Sequence, residues 1–208
     1  MIRITRSSTN KAETDIVGID EAGRGPLAGP VAVGAVLFLK RARFDFDGLT
    51  DSKKLTPSQR EEWFRKIKQW QKEGKLRFAV SLVSNTVIDA KGIVPAINLG
   101  IERCLKKLKV DPKHTHIFLD GGLKAPAQFL NQETIIKGDE KIPAISLASI
   151  TAKVTRDRKM VTLSKIYPHY GFEIHKGYGT KIHADAIRKH GISKIHRKSF
   201  LKNFSQSH

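Results

Sequence analysis

The chain has 208 residues and a formal net charge of +18, from 38 Lys and Arg against 20 Asp and Glu, a balance that directs its surface toward polyanions, nucleic acid first, and that fits a passive binder as well as an enzyme. Its single cysteine excludes an internal disulfide, and one cysteine with eight scattered histidines excludes a thiolate or Cys/His zinc pattern, so any metal must use oxygen ligands. The opening MIRITRSSTN has no apolar leader core and the longest apolar run, Val31 to Leu39, is far short of the roughly 20 residues that cross a bilayer, so a cytoplasmic protein with no membrane partner is expected.

In chain order, Ile16 to Ala22 (IVGIDEA) reads as a strand, and after a Gly/Pro-rich connection Val31 to Leu39 (VAVGAVLFL) reads as a second, apolar at nearly every position and therefore buried on both faces. Thr56-Pro57-Ser58-Gln59 presents an N-cap, a proline at the first helical position and a capping-box Gln, which opens a helix to about Trp70. Leu76 to Val83 is the third strand. Val94 to Leu108 carries the helical apolar period after the break at Gly92-Ile93, and it places Cys104 among Ile101, Leu105 and Leu108 as a packed thiol. His116 to Gly121 (HIFLDG) and Thr134 to Asp139 (TIIKGD) bring the strand count to five. From Ser146 the pairs Ala148/Ala152 and Ile150/Val154, each four apart, give a helix with a close-packing face that runs toward Tyr167-Pro168. Beyond His169 the chain is basic and glycine-broken, with a helix after Thr180 that ends at Gly191 and frayed last residues. This gives a main α/β domain over 1–168 and a small basic helical region over 169–208.

Acids are the unexpected residues in this pattern, because a carboxylate in a buried strand costs several kcal/mol unless it is paired or metal-bound. Asp20 and Glu21 close the first strand, Asp120 closes Ile117-Phe118-Leu119, and Asp139 is read as closing the strand Thr134 to Asp139. If these ends converge, four carboxylates raise one another's pKa until divalent cations replace protons. Mg2+ or Mn2+ suits such a donor set, and two ions about 4 Å apart can activate water and stabilise the leaving oxygen of a phosphodiester. Any one of these acids alone could equally face water or cap a turn.

The stretch GIDEAGRGPLAGPVAVGAV (Gly18 to Val36) closely resembles the N-terminal signature of the ribonuclease HII family. Further matches follow in the same order: DSKKL (Asp51 to Leu55), LDG (Leu119 to Gly121), a GD before the segment Ser149 through Asp157, GYGT (Gly177 to Thr180) and HRKSF (His196 to Phe200). The resemblance spans nearly the whole chain. It implies an RNase H-like mixed α/β sheet with an added helical C-terminal part, and cleavage of RNA in RNA/DNA hybrids to 5′-phosphate products. It also implies nicking of ribonucleotide-containing duplex DNA 5′ to a single ribonucleotide. Asp20, Glu21, Asp120 and Asp139 fall on the family's metal-binding carboxylates, which implies two Mg2+ or Mn2+ ions in the active complex. A monomer is expected.

By the same resemblance Gly23, Arg24 and Gly25 match a loop whose backbone lies against the ribose 2′-OH, the group that separates RNA from DNA. Without it, Gly-x-Gly is a weak signal that also fits a plain turn. Tyr178 matches a tyrosine that packs on the sugar, although a tyrosine in a glycine loop is as readily a packing residue. Ser52, Lys53 and Lys54 sit where a hydroxyl and two ammonium groups could take phosphates or form a solvated basic turn. Arg197, Lys198 and Lys202, interleaved with Phe200 and Phe204, suit a helix with its basic side toward nucleic acid, and Asp157 suits an ion pair with Lys153 four residues earlier. The chain departs from the family pattern at Gly92, where an Asn is usual, and this puts one substrate contact in doubt. A DNA junction nuclease of the same fold class, cutting without ribonucleotides, is the alternative enzyme reading.

Overall fold

In the computed structural model, which describes residues 14–39 and 42–201, five strands make one sheet in the order β3-β2-β1-β4-β5. β1 (Asp15–Ala22), β2 (Val31–Phe38) and β3 (Leu76–Val83) form an antiparallel meander, and β4 (Thr115–Asp120) and β5 (Gln132–Ile135) extend it in parallel from β1. The continuous apolar run of β2 is buried at all eight positions, as a strand covered on both faces requires. One face packs on α3 (Ile93–Leu108) through Val17, Ile19, Ile97, Ile101 and Cys104; the other packs on α1 (Pro57–Lys72) and α5 (Pro143–Ile166). The result is a helix-sheet-helix sandwich, as the strand and helix patterns led us to expect.

The Thr56 capping box forms as its sequence requires: the hydroxyl accepts the Gln59 N–H and the Gln59 side chain accepts the Thr56 N–H. Cys104 is a packed thiol, with its Sγ 3.3 Å from the Val33 carbonyl oxygen, and burial pushes it up to about 12. α5 begins three residues earlier than its apolar spacing indicated, with Pro143 in its first turn. The small-residue face is where the helix meets the sheet. A β-carbon at Gly18 would stand 2.1 Å from the Ala144 carbonyl carbon, so both strand and helix must lack bulk for these backbones to touch.

Two expectations are corrected and one helix is added. The strand read over Thr134 to Asp139 ends at Ile135; Lys137 takes a left-handed backbone (φ 53°, ψ 46°), and Asp139 lies on a one-turn helix, α4 (Gly138–Lys141). A short helix, α2 (Asn85–Lys91), precedes α3, with the Ser84 side chain accepting from the Val87 N–H. The basic C-terminal helix is instead a three-residue 3-10 turn (Lys198–Phe200), and Arg197 is fully buried rather than turned toward solvent. Lys202 and Phe204 lie outside the described residues. Asn85 and Asp89 explain what α2 does. Asn85 donates to the Lys194 and His196 carbonyls, and Asp89 accepts the N–H groups of Lys198 and Ser199, so α2 clips the 194–199 segment to the sheet layer.

After α5, two short helices, α6 (Phe172–His175) and α7 (Lys181–His190), close over Ala28, Met160, Leu163, Tyr170 and Phe172. Thr180 caps α7, and Gly191, with φ 74°, ends it as the glycine pattern indicated. Among the described residues no helix is long and apolar enough to cross a membrane.

Candidate active site

β1 and β4 are neighbouring parallel strands in the register Ile19↔Leu119. Side chains alternate along a strand. Ile19 and Leu119 enter the α3 core, so Asp20 and Asp120, one residue further on, share the opposite face. Asp139 arrives on α4, the turn that leads into α5. Oxygens of Asp20, Asp120 and Asp139 all lie within 4.8 Å of one another. Backbone groups fix them: the Glu21 N–H donates to Asp20 Oδ1 at 2.7 Å and the Gly138 N–H to Asp120 Oδ1 at 2.7 Å. The Ser146 hydroxyl donates to the Asp139 carbonyl. Ser149 bonds Asp20 from above, and its hydroxyl in turn meets that of Ser52 at 2.7 Å.

Glu21 stands apart from this trio. The alternation that turns Asp20 toward α5 turns its neighbour away, and Glu21 Oε1 accepts from Arg24 Nη1 at 3.3 Å. The structure therefore gathers three of the four expected acids and leaves the fourth beside them.

Burial, then the Glu21 and Asp120 charges, holds the Asp20 carboxyl well above the ordinary carboxylate range. Asp139 is raised as well, chiefly by burial and then against the opposing pull of Lys53, with Asp120 and Asp51 adding to the rise. Asp51 was missed by the sequence reading although it opens the DSKKL segment. It is buried and hydrogen-bonds Asp139, which makes a fourth acid in contact with the cluster. Lys53 Nζ lies 3.5 Å from Asp139 Oδ2; burial opposes its charge, but Asp139, Asp51 and Asp20 outweigh that and raise its pKa. Lys54 pairs with Glu140 at 3.3 Å, Ser52 is inside the protein on Ser149, and Asp157 pairs with Lys153 at 2.9 Å. Crowded oxygen donors with raised affinity for positive charge fit a hard divalent cation, and the carboxylates that would hold it are Asp20, Asp120 and Asp139.

The Gly23-Arg24-Gly25 loop follows directly from β1. Its carbonyls are held from beneath by Arg197, whose guanidinium donates to the oxygens of Gly23 (2.7 Å), Arg24 (2.8 Å) and Gly29 (3.0 Å). Arg156, equally buried, donates to Pro30 and lies so close to Gly23 that a β-carbon there would stand 1.9 Å from its Nε. Neither arginine was selected from sequence as a loop support. The signal was present for one of them: Arg156 continues the Ala148, Ala152 spacing onto the packed face of α5. Tyr178 stands over Arg156, with its ring centre 5.9 Å from the guanidinium carbon, and the Leu27 N–H donates to the Gly177 carbonyl at 2.8 Å. The Gly-Arg-Gly loop and the GYGT segment are thus adjacent walls beside the acids. Gly92 joins α2 to α3 at φ 89°, ψ 165°, a backbone that glycine alone adopts readily.

Residues 17–203 match the family described as Ribonuclease HII. The chain is 46% identical over 188 residues to a ribonuclease HII of Clostridioides difficile, covering 90% of this chain and 70% of that one. It is 47% identical over 194 residues to one of Caldicellulosiruptor bescii, covering 93% and 90%. The chain belongs to the ribonuclease HII family. The fold agrees: ribonuclease H2 of Pyrococcus horikoshii superposes with a TM-score of 0.67 at 26% identity, covering 93% of this chain and all of that one. The ribonuclease HII of Archaeoglobus fulgidus, solved as a complex with PCNA, gives 0.67 at 27% identity over 88% and 93%. The RNase H-like α/β architecture expected from the resemblance is therefore the one observed, and the protein is a nuclease whose acidic centre is built for divalent metal.

Proposed function

We propose that this ribonuclease HII hydrolyses RNA paired to DNA and nicks duplex DNA 5′ to an embedded ribonucleotide, leaving 5′-phosphate and 3′-hydroxyl ends. The observation that carries this reading is the convergence of Asp20, Asp120 and Asp139 within 4.8 Å on a chain of net charge +18. A basic protein that gathers buried acids at one point has a means of holding cations against a phosphate, which a passive binder does not need.

In this reading Glu21 is the fourth acid of the metal set. Two Mg2+ or Mn2+ ions, when bound, supply an acidified water and stabilise the departing 3′-oxygen. The protein's own part is orientation. Ser149 and the Glu21 N–H hold Asp20, the Gly138 N–H holds Asp120, and Ser146 anchors the turn that carries Asp139. Gly23, Arg24 and Gly25 offer backbone to the 2′-OH, Tyr178 packs on the neighbouring sugar, and Lys53 and Lys54 lie where phosphates would pass, with Ser52 seating their loop through Ser149. Residues 1–168 form the RNase H-like catalytic domain and 169–208 a basic helical C-terminal region, in a monomer.

The test is a labelled duplex with one ribonucleotide beside an all-DNA duplex, each with Mg2+, Mn2+ or chelator. Metal-dependent nicking 5′ to the ribonucleotide alone is expected. Cutting of the all-DNA duplex, or no cutting of any RNA-containing duplex, would overturn the assignment.

A further inference from the structure

Three histidines in the C-terminal region are buried and touch none of the acids: His175 in α6, His183 in α7 and His196 before the 3-10 turn. The rings follow one another in series: His175 stacks on His183 with centres 4.5 Å apart, and His196 lies tilted against His183 with centres 5.2 Å apart. Their partners fix every proton. His196 Nδ1 lies 2.8 Å from the Ser193 backbone N–H, so it must accept and the ring proton must sit on Nε2. That Nε2 is 3.0 Å from His183 Nε2, which must therefore accept in turn. The His183 proton is left on Nδ1, 2.9 Å from the Tyr178 carbonyl, a group that can only accept. His175 follows the same logic: its Nδ1 accepts the Gly177 N–H at 3.1 Å and its Nε2 donates to the Tyr170 carbonyl at 2.7 Å.

We propose that His175, His183 and His196 are positioning residues for Tyr178: His196 and His183 form a chain of neutral imidazoles from Ser193 to the Tyr178 carbonyl, His175 stacks on His183 and holds the Gly177 N–H, and together they set the tyrosine's height over the Gly-Arg-Gly loop. The inference rests on the reading that Tyr178 meets the substrate sugar. The loop's backbone is gripped by the rings at two consecutive residues, the Gly177 N–H and the Tyr178 carbonyl. From its other side it is pressed onto the segment after the Gly-Arg-Gly loop: the Gly177 carbonyl accepts from Leu27, and a β-carbon on Gly177 would stand 2.6 Å from the Ala28 oxygen. Ala28 also bridges to His196, and the next residue, Arg197, grips Gly23 and Arg24. One hydrogen-bonded unit therefore spans both walls of the cleft.

A second proton on any ring would set N–H against N–H, at Ser193, between the two Nε2 atoms, or at Gly177. The surroundings keep the rings neutral. Burial lowers all three pKa values, His196 to about 4, with His175 adding to the effect on His183 and His183 adding to it on His196. The other charges that act on them are Glu173 and Lys176, beside His175. Among the described residues no carboxylate hydrogen-bonds any of the rings.

The experiment is a double-mutant cycle on kcat/KM for the single-ribonucleotide duplex. His183→Leu removes both ring bonds and should lower kcat/KM about tenfold, while His183→Asn, which returns an N–H near the Nδ1 position, should stay within about threefold of wild type. Tyr178→Ala alone tests the underlying reading: no loss there would remove Tyr178 from the substrate site whatever the histidines do. Given a loss, adding His183→Leu to Tyr178→Ala should cost nothing further, because the histidine acts through that ring. Full additivity would show a merely structural role and overturn the proposal. Should His183→Leu fail to fold, nitrogen NMR of the wild-type protein at neutral pH decides. Protons on Nδ1 of His183 and on Nε2 of His175 and His196 are expected; a charged ring or the opposite His183 tautomer would overturn it.

Discussion

The backbone of Gly34 in β2 lies against the Ala148 carbonyl of α5 so closely that a β-carbon on Gly34 would stand 2.3 Å from that oxygen. Strand and helix can separate only by moving the whole of α5, which also carries Ser149 beside Asp20 and Arg156 beneath Gly23. Gly34→Ala should therefore destabilise by more than about 3 kcal/mol, an overpacking cost at a contact between two backbones. Urea unfolding measures it; an unchanged midpoint would show that the sheet and helix have slack which this contact denies.

Asp20→Asn separates stability from catalysis. Asp20 is buried beside Asp120 and Asp139, and its carboxyl has a raised pKa in the fold. An acid with a raised pKa contributes its full stability only below its unfolded pKa and loses it as pH rises from there through the folded pKa, so at pH 8 the metal-free protein holds an unfavourable charge there. The asparagine can keep the bond from the Glu21 N–H. In chelator its melting temperature at pH 8 should exceed wild type by a few degrees, equivalent to about 1–2 kcal/mol. Cleavage should fall by at least about a thousandfold. Added Mg2+ should raise the wild-type melting temperature and leave the variant nearly unmoved. A variant less stable than wild type in chelator counts against a crowded apo centre.

Arg197 serves two carbonyls of the substrate loop, Gly23 and Arg24, and that of Gly29 beyond it, and a lysine cannot reproduce that fork. Arg197→Lys should cost roughly 2–4 kcal/mol of stability, because buried carbonyls lose their donors. It should also blur the preference for a ribonucleotide over a deoxynucleotide at the cut site, while metal affinity, read by calorimetry, stays as in wild type. Unchanged stability together with unchanged selectivity would sink the role assigned to it.

The histidine relay predicts an acid limb of stability distinct from that of the carboxylates. His196 stands near 4 in the fold against 6.5 when free. The unfolded chain therefore takes up a proton first as pH falls. The resulting contribution is complete above 6.5, declines between 6.5 and about 4, and amounts to on the order of 3 kcal/mol. Comparing unfolding free energies of wild type and His196→Gln from pH 7 to pH 4 isolates it. The variant's curve should be flatter over that interval, and parallel curves would mean that His196 is not buried neutral.

Much of this arrangement was legible in the residues themselves. The all-apolar β2, the capping box at Thr56 and the small-residue spacing of α5 each report local physics that tertiary packing reinforced. Asp139 does join Asp20 and Asp120, but not from a strand end: Thr134 to Asp139 has a strand's composition, and the left-handed turn at Lys137 carries no side-chain signal. Strand alternation, applied to Asp20 and Glu21 as strictly as to their apolar neighbours, already separates the two carboxylates. The buried arginines escaped because a guanidinium is read as surface by default. Their partners are backbone carbonyls, which no composition reveals. Ser84, by contrast, was a visible N-cap for α2, overshadowed by the break at Gly92.

The clamp of Arg197 on Gly23 and Arg24 has a temporal meaning as well. During synthesis the fastener follows Arg24 by 173 residues, and Asp120, the partner of Asp20, is made between them. A nascent chain that stops short of Arg197 therefore lacks the fastener of its recognition wall, even with Asp20, Asp120 and Asp139 all made. A cutting centre and a fixed recognition wall come together only once Arg197 reaches the loop.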